Sequence, residues 1–286
     1  MRMLAMGTVA LLLACGVQAK DSAYDAVVAA ERAFAADAQA RGVNAAFLAA
    51  AGEHGVVFRP GPLRVADAYA KAPPAAFNIA WGPAAAEVAP SGDLGYTYGP
   101  YEVTLADGKS AGFGHYFTVW ERDGDGAFHF RSDIGISHAP VPLAGDAVVR
   151  RGSRAEGARA LARRERDARL AALRELDSGL LPRLRRESPA AVYASVAADD
   201  LVLLRDGSLP LAAPFDDAVL AATDLGDATL MTAAERISAD GTLATTYASP
   251  AEGRGPAWVR VWRRSGDTWQ LAVDLTLPPP PEPADG

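Results

Sequence analysis

Apolar and polar residues alternate along this chain with two different periods, and the change from one to the other occurs in each half. Residues 22–41 are alanine-rich and carry their larger apolar side chains at Tyr24, Val27, Val28 and Phe34, which predicts an amphipathic helix. A second short helix is predicted at 44–51, with Asn44 as its N-cap. A strand at 56–59 runs into Pro60-Gly61-Pro62, and 65–71 predicts a third helix. The period then shortens to two, and strands are expected at 77–89, 93–104, 109–122 and 127–137. The second half repeats the order. An arginine-rich helical stretch at 156–187, interrupted near Gly179 and Pro182, precedes strands at 201–205, 227–238, 242–248, 257–264 and 268–276. Helices followed by a meander predict an α+β fold, with N-terminal helices packed on a curved antiparallel sheet.

The halves also match in sequence. SGDLGYTYGP (91–100) matches ADGTLATTYAS (239–249), VVFRPG (56–61) matches VLLRDG (202–207), and YFTVWERDGDGAFHFRSDI matches WVRVWRRSGDTWQLAVDL. Leu94 aligns with Leu243, Trp120 with Trp262 and Asp133 with Asp274. The blocks keep the same order, which predicts two tandem domains related by duplication. Their expected limits are 21–139 and 155–277, joined by a linker at 140–154 and followed by a Pro-rich tail at 278–286. The segments ERAFAADAQARGVNAAFLAA, VVFRPGP, GDLGYTYGPYE and GHYFTVW resemble the SnoaL-like group of the nuclear transport factor 2-like superfamily, in particular its exported bacterial members of unassigned function. The resemblance is good over the first copy and looser over the second. It implies a cone-like domain with a pocket between sheet and helices, in a superfamily that holds isomerases, dehydratases, cyclases and many non-catalytic binders.

Side-chain direction follows from the turns. Asp107-Gly108 is a two-residue hairpin signal. Pairing across it sets Glu102 opposite Phe113, Pro100 opposite His115, Tyr98 opposite Phe117 and Tyr96 opposite Val119. The next turn, pairing Arg122 with Ala127, sets Val119 opposite Phe130, Phe117 opposite Ser132 and His115 opposite Ile134. These residues share one face, and its apolar content assigns it to the helices. The other face, with Thr97, Tyr116, Thr118, Trp120, His129, Arg131 and Asp133, is expected outside. The second copy's inward face reads Thr245, Tyr247, Val259, Val261, Leu271, Val273 and Leu275. There Ala251, Ala257 and Val273 stand in place of Glu102, His115 and Ser132. The first domain is therefore expected to be polar at its centre and the second to be filled.

Candidate chemistry falls on that predicted inner face. A histidine oriented by a carboxylate makes an acid or base near neutral pH, so His115 and Glu102 are the candidate catalytic pair. Tyr96 and Tyr98 are candidate donors to a ligand, with Phe117, Ser132, Arg59 and Trp81 as further lining residues. Arg59 faces either an anionic ligand or Asp133, and Trp81 either walls the pocket or packs on the first helix. Asp133 and Asp274, present in both copies, suggest a shared scaffold role. The four histidines lack metal-ligand spacing, and no nucleotide fingerprint is present, so no metal or cofactor is called for.

Charge and the amino terminus narrow the setting. A net charge of -7 and a pI near 5.2 speak against general affinity for nucleic acid or anionic lipid. The one cysteine allows no intrachain disulfide. Arg2 precedes an apolar run from Leu4 to Ala14, of signal-peptide length and too short to span a bilayer. Two processing sites fit the first 19 residues. Val17-Gln18-Ala19 releases a soluble protein, whereas Leu12-Leu13-Ala14-Cys15 resembles a lipobox and makes Cys15 the lipidated first residue. The expectation is a periplasmic protein, touching the membrane only through such an anchor, that binds a small, largely apolar molecule in its first domain. Two alternatives stand beside it: an isomerase-, dehydratase- or hydrolase-like enzyme using His115 and Glu102, and a scaffold that pairs sheet faces within or between chains. If Cys15 carries the anchor, Cys15→Ser abolishes globomycin-sensitive processing; unchanged processing assigns cleavage to Ala19.

Overall fold

A computed structural model describes residues 22–59, 61–213, 215, 231–250 and 257–278. The segment expected to be a signal, with Cys15, residue 60 of the first turn, the start of the strand expected at 227 and the tail beyond 278 lie outside the described residues.

The first unit opens with α1 (Ala23–Arg41), capped by the Ser22 hydroxyl, which accepts a hydrogen bond from the Asp25 N–H. Gly42, at φ +87°, turns the chain into α2 (Val43–Ala50). β1 (Val56–Phe58), β2 (Pro62–Arg64) and α3 (Val65–Tyr69) follow, then β3 (Phe77–Trp81), β4 (Ala85–Val88), β5 (Leu94–Leu105), β6 (Ser110–Arg122), β7 (Phe128–Ser137) and β8 (Val149–Arg150). The strand order is β2-β1-β7-β6-β5-β4-β8, with β3 on the far stretch of β5. The single strand expected at 77–89 is thus two. Pro83 has no N–H for the ladder, and the Gly82 carbonyl lies so close to Gly99 that a Cβ there would meet it at 2.0 Å.

The second unit contains α4 (Arg163–Leu184), α5 (Pro189–Val196), β9 (Ala197–Arg205), β10 (Leu211–Ala212), β11 (Met231–Ile237), β12 (Leu243–Ser249), β13 (Ala257–Ser265) and β14 (Thr268–Leu277). Its strand order is β10-β9-β14-β13-β12-β11. α4 begins at Arg163, later than expected, and Pro182 lies within it. Both sheets are mixed, not purely antiparallel. β1 runs parallel to β7, β8 to β4 and β9 to β14. In each unit the strand that leaves the helices lies beside the last strand of the meander and runs in its direction.

Along β5–β6, Tyr96, Tyr98, Pro100 and Glu102 lie opposite Val119, Phe117, His115 and Phe113 as expected, although Leu105 instead of Ala106 faces Lys109 at the turn and a bulge between Val103 and Thr104 restores the register. The β6–β7 register differs by two residues: Val119 pairs with Ser132, Phe117 with Ile134 and His115 with Ile136. The turn sets Arg122 opposite Phe128 instead of Ala127, which puts Phe130 opposite Trp120 on the other face, and a bulge between Val119 and Trp120, where Arg131 is extra, adds the second residue. The second sheet carries a bulge at the aligned place, between Val261 and Trp262, where Ala272 is the extra residue.

The larger correction concerns which face meets the helices. The apolar face of the first sheet, with Tyr96, Phe117, Val119, Ile134 and Ile136, packs against Val202, Leu204, Val259, Val261, Val273 and Leu275 of the second. The helices instead cover the mixed face: Phe34, Val43 and Phe47 pack on Trp120 and Phe130, and Leu173, Leu180 and Tyr193 on Trp262 and Leu271. Each sheet is buried on both sides. The more apolar face is consumed by the partner sheet, where little besides hydrocarbon can fit.

Polar groups close the edges of this contact. Glu87, buried, accepts from both ends of the Arg263 guanidinium at 2.7 and 2.6 Å and from the Tyr96 hydroxyl at 2.8 Å. Arg151 reaches the Tyr98 hydroxyl at 2.9 Å and the Asp200 carboxylate at 3.1 Å. At the turns the Ser91 N–H donates to Asp240 and the Ala239 N–H to Asp93, each at 2.8 Å. Removing Glu87 leaves the Arg263 guanidinium with Asp200 alone, at 2.7 Å, and takes the acceptor from the buried Tyr96 hydroxyl. Glu87→Ala is expected to lower unfolding free energy by about 2 kcal/mol in urea denaturation; a loss below about 0.5 kcal/mol would mean that the clamp contributes little.

Candidate ligand-binding site

Both units anchor a helix carboxylate on the mixed face of the sheet, and they differ in what surrounds it. In the second unit Asp177 of α4 accepts from the Trp262 indole at 3.0 Å and from Arg260 at 3.1 Å. Arg260 also donates to Asp274 at 3.1 Å, and Arg205 and the Tyr193 hydroxyl bind the other Asp274 oxygen. Burial raises the Asp274 carboxyl, but Arg205 and Arg260 outweigh it and hold the group below the usual carboxylate range. The two arginines and two aspartates neutralise one another.

In the first unit Glu31 of α1 takes the helix position. It is fully buried and accepts from Trp81 at 2.6 Å, from Trp120 at 3.1 Å and from the Thr97 hydroxyl. At the sheet position of Arg260 stands Thr118, which pairs with Asp133 as Arg260 pairs with Asp274. The Thr118 hydroxyl donates to Asp133 at 2.7 Å, and among the described residues no guanidinium lies at ion-pair distance from Asp133. A cavity of about 240 Å³ opens there. Its apolar wall comes from Val43 and Phe47 of α2, Val57 of β1, Phe77 and Ile79 of β3 and Val103 of β5. Its polar residues are Asp133, Arg59, Tyr69, Tyr101 and Tyr116. Gly114 makes room for the Tyr101 ring, which lies 2.6 Å from where a Cβ would stand.

Burial raises the Asp133 carboxyl to about 7, assisted by the charge of Glu31 and opposed by Thr118 and Arg59. Both protonation states are therefore populated near neutral pH, so the group can donate or accept. Its remaining accessible surface is on the cavity. Arg59, at the end of β1, lies 4.5 Å over the Tyr69 ring and donates to the Tyr69 hydroxyl. Among the described residues it has no carboxylate at ion-pair distance. Burial pushes the Tyr69 hydroxyl up to about 12. The Tyr116 hydroxyl is buried without a hydrogen-bond partner, although Thr97 lies near, and burial keeps it protonated. Together these groups offer a cation, an unused hydroxyl donor and a carboxyl that titrates near neutrality, facing hydrocarbon.

Of the residues singled out from sequence, Arg59 lines this cavity and the others do not. His115 is buried on the intersheet face, its Nδ1 2.6 Å from Nε2 of His138, whose own Nδ1 faces the Ala139 carbonyl. Burial, with the charge of His138, lowers the His115 imidazole to about 4. Glu102 shares that face but binds the Ser110 hydroxyl, and the two candidate catalytic groups make no contact. Tyr96 stacks on Phe117 at 5.4 Å in the intersheet core, and Tyr98 binds Arg151 there. Ser132 lines a separate crevice of about 30 Å³ between the sheets. Trp81 packs against Phe34 of α1 and holds Glu31. Asp133 and Asp274, expected outside, face the helices. Tyr69 and Tyr116 were not anticipated; the Thr118-for-Arg260 exchange beside a shared aspartate was the available signal.

No family model matches the chain, and no curated protein matches it. Several solved structures show a likeness, three of which follow. A conserved protein from Planctomyces limnophilus is 24% identical, with 39% of this chain and 98% of that one covered, at a TM-score of 0.29. An NTF2-like protein of unknown function from Pseudomonas putida is 19% identical over 37% and 83%, at 0.28. An NTF2-like protein from Bacteroides fragilis is 8% identical over 86% and 94%, at 0.23.

The Asp133 carboxyl binds its proton more tightly in the folded chain than in the unfolded one. Its contribution to stability is therefore full below the unfolded value near 4 and is lost as pH rises through about 7. The difference is on the order of 4 kcal/mol for a shift of this size. Asp133→Asn should flatten the stability profile between about pH 4 and 7 and be the more stable protein at pH 8. A variant whose urea midpoints track the parent across that window would show that Asp133 titrates normally.

Proposed function

We propose that this chain is an exported binding protein built from two NTF2-like, SnoaL-like units that arose by duplication, and that the first unit takes a small molecule. The observation that carries the reading is the exchange of Arg260 for Thr118. Where the second unit fills its centre with a neutralised ion network, the first keeps an aspartate, an arginine and an unused tyrosine hydroxyl around a cavity. Buried polar groups without partners are costly, and a ligand that supplies the partners removes the cost. The apolar wall selects a hydrocarbon body, and Arg59, Tyr116 and protonated Asp133 select an acceptor oxygen at its end. The second unit serves as the structural partner that covers the first sheet.

One feature favours a catalytic variant of this reading. A carboxyl that titrates near 7 inside a cavity is suited to general acid–base work. Asp133 would then be the acid or base, in place of His115 and Glu102, which lie outside the cavity.

Melting-temperature shifts across a panel of cyclic and aliphatic ketones and carboxylic acids test the assignment. A hit on the parent protein should weaken at least about tenfold in Arg59→Ala and about fivefold in Tyr116→Phe, and should survive His115→Ala. Turnover lost in Asp133→Asn with binding retained would select the enzyme. Equal binding by the parent and Arg59→Ala would remove the site from this cavity.

A further inference from the structure

The net charge of -7 conceals a reversal. Residues 150–166 hold seven arginines and two glutamates, a net +5, which leaves -12 for the rest of the chain. Arg151 is buried and bound, but Arg154, Arg159, Arg163 and Arg164 are exposed. The nearby acids are already engaged: Glu156 by Arg150, Glu165 by Arg169 and Asp167 by Arg163. Arg154, Arg159 and Arg164 have no ion-pair partner among the described residues.

This stretch is not a free tail. Residues 153–162 run without helix or strand, but the Ala158 N–H donates to the Pro90 carbonyl of the first unit at 3.0 Å. The Leu161 N–H donates to the Ala239 carbonyl of the second at 2.8 Å. The strap is pinned across the two turns that close one end of the stacked sheets. Arg163, Arg164 and Arg166 then fall in the first turn of α4, whose N-cap, Ala162, makes no side-chain cap. Cations at a helix N-terminus oppose the helix dipole. Glu165 in the same turn offsets only part of this, so the turn favours an external anion.

The same end of the molecule holds the start of the described chain. The Gly92 turn abuts α1, where an added Cβ would meet that of Ala23 at 3.1 Å, and the Arg150 guanidinium lies 4.4 Å over the Tyr24 ring. Six residues lie between Cys15 and Ser22, a reach of at most about 25 Å. An acyl anchor at Cys15 would therefore hold this end, and not the acidic remainder, at the bilayer.

We infer that the arginine strap is a docking surface for anionic phospholipid headgroups, orienting the protein on a membrane with its amino-terminal end inward. Clustered basic residues near a bilayer are attracted to anionic lipid, and the attraction is screened by salt. The surface is separate from the cavity and does not depend on a ligand there.

Flotation of purified, non-acylated Cys15→Ser chain with vesicles tests the inference. Binding should be found with equal parts phosphatidylglycerol and phosphatidylcholine and not with phosphatidylcholine alone, and should disappear at about 0.5 M salt. The variant R154Q/R159Q/R163Q/R164Q should bind at least about tenfold more weakly, with an unchanged or higher melting temperature. The matching lysine variant, which keeps the charge, should bind like the parent and separates lost charge from lost folding. Equal flotation with both vesicle types, or a glutamine variant that floats like the parent, would overturn the inference. So would binding to heparin without binding to the charged vesicles.

Discussion

The central strands of both sheets are buried on two faces, and the rest of the structure follows from how those faces are divided. A sheet packed on another sheet leaves room for interdigitated hydrocarbon and little else. Tyr96, Phe117, Val119 and Ile134 go to that layer, together with Val259, Val261, Val273 and Leu275. The remaining face, richer in threonine, tryptophan and charge, must be closed by helices. Its polar groups can be satisfied only by what α1, α2, α4 and α5 bring to them.

The two units meet that requirement differently. Asp177 and Tyr193 of the second unit complete a network with Arg205, Arg260 and Asp274, so every charge there has an opposite neighbour. In the first unit Glu31 is satisfied by Trp81, Trp120 and Thr97, and the sheet carboxylate is left with one hydroxyl. The same aspartate is therefore held below the usual range in one unit and raised to about 7 in the other. Two exchanges set the difference in charge: threonine stands in place of Arg260, and Arg59 binds the Tyr69 hydroxyl where Arg205 binds Asp274; the first of them leaves the space beside Asp133. The Glu87–Arg263 clamp and the paired turns keep the sheets face to face, which keeps the polar faces toward the helices.

Much of the fold was legible because local signals do not depend on what lies across the sheet. The Asp107-Gly108 turn located the β5–β6 hairpin, and alternation along the strands grouped Tyr96, Phe117, Val119 and Ile134 correctly, though not Phe130 or Leu271. Apolar content could not say which layer a face meets. The inference that the greasier face belongs to the helices assumes one buried face per sheet, and a second sheet removes that assumption. His115 and Tyr96 were thereby drawn to the wrong layer. The bulges at Arg131 and Ala272 carry no turn residue to announce them; the first, together with a one-residue shift at the turn that moved Phe130, set the β6–β7 register. Arg59 was found because it ends a strand in both halves. Asp133 was noticed for the same reason and set aside, since its contrast with Asp274 depends on residues 118 and 260, one strand away.

The claim at the centre is that the first unit is open because Thr118 stands where the second unit has Arg260. A crystal structure of Thr118→Arg tests it most directly. The new guanidinium is expected to lie between Glu31 and Asp133, as Arg260 lies between Asp177 and Asp274, with the space beside Asp133 filled. An arginine turned away from both carboxylates, with the cavity unchanged, would contradict it.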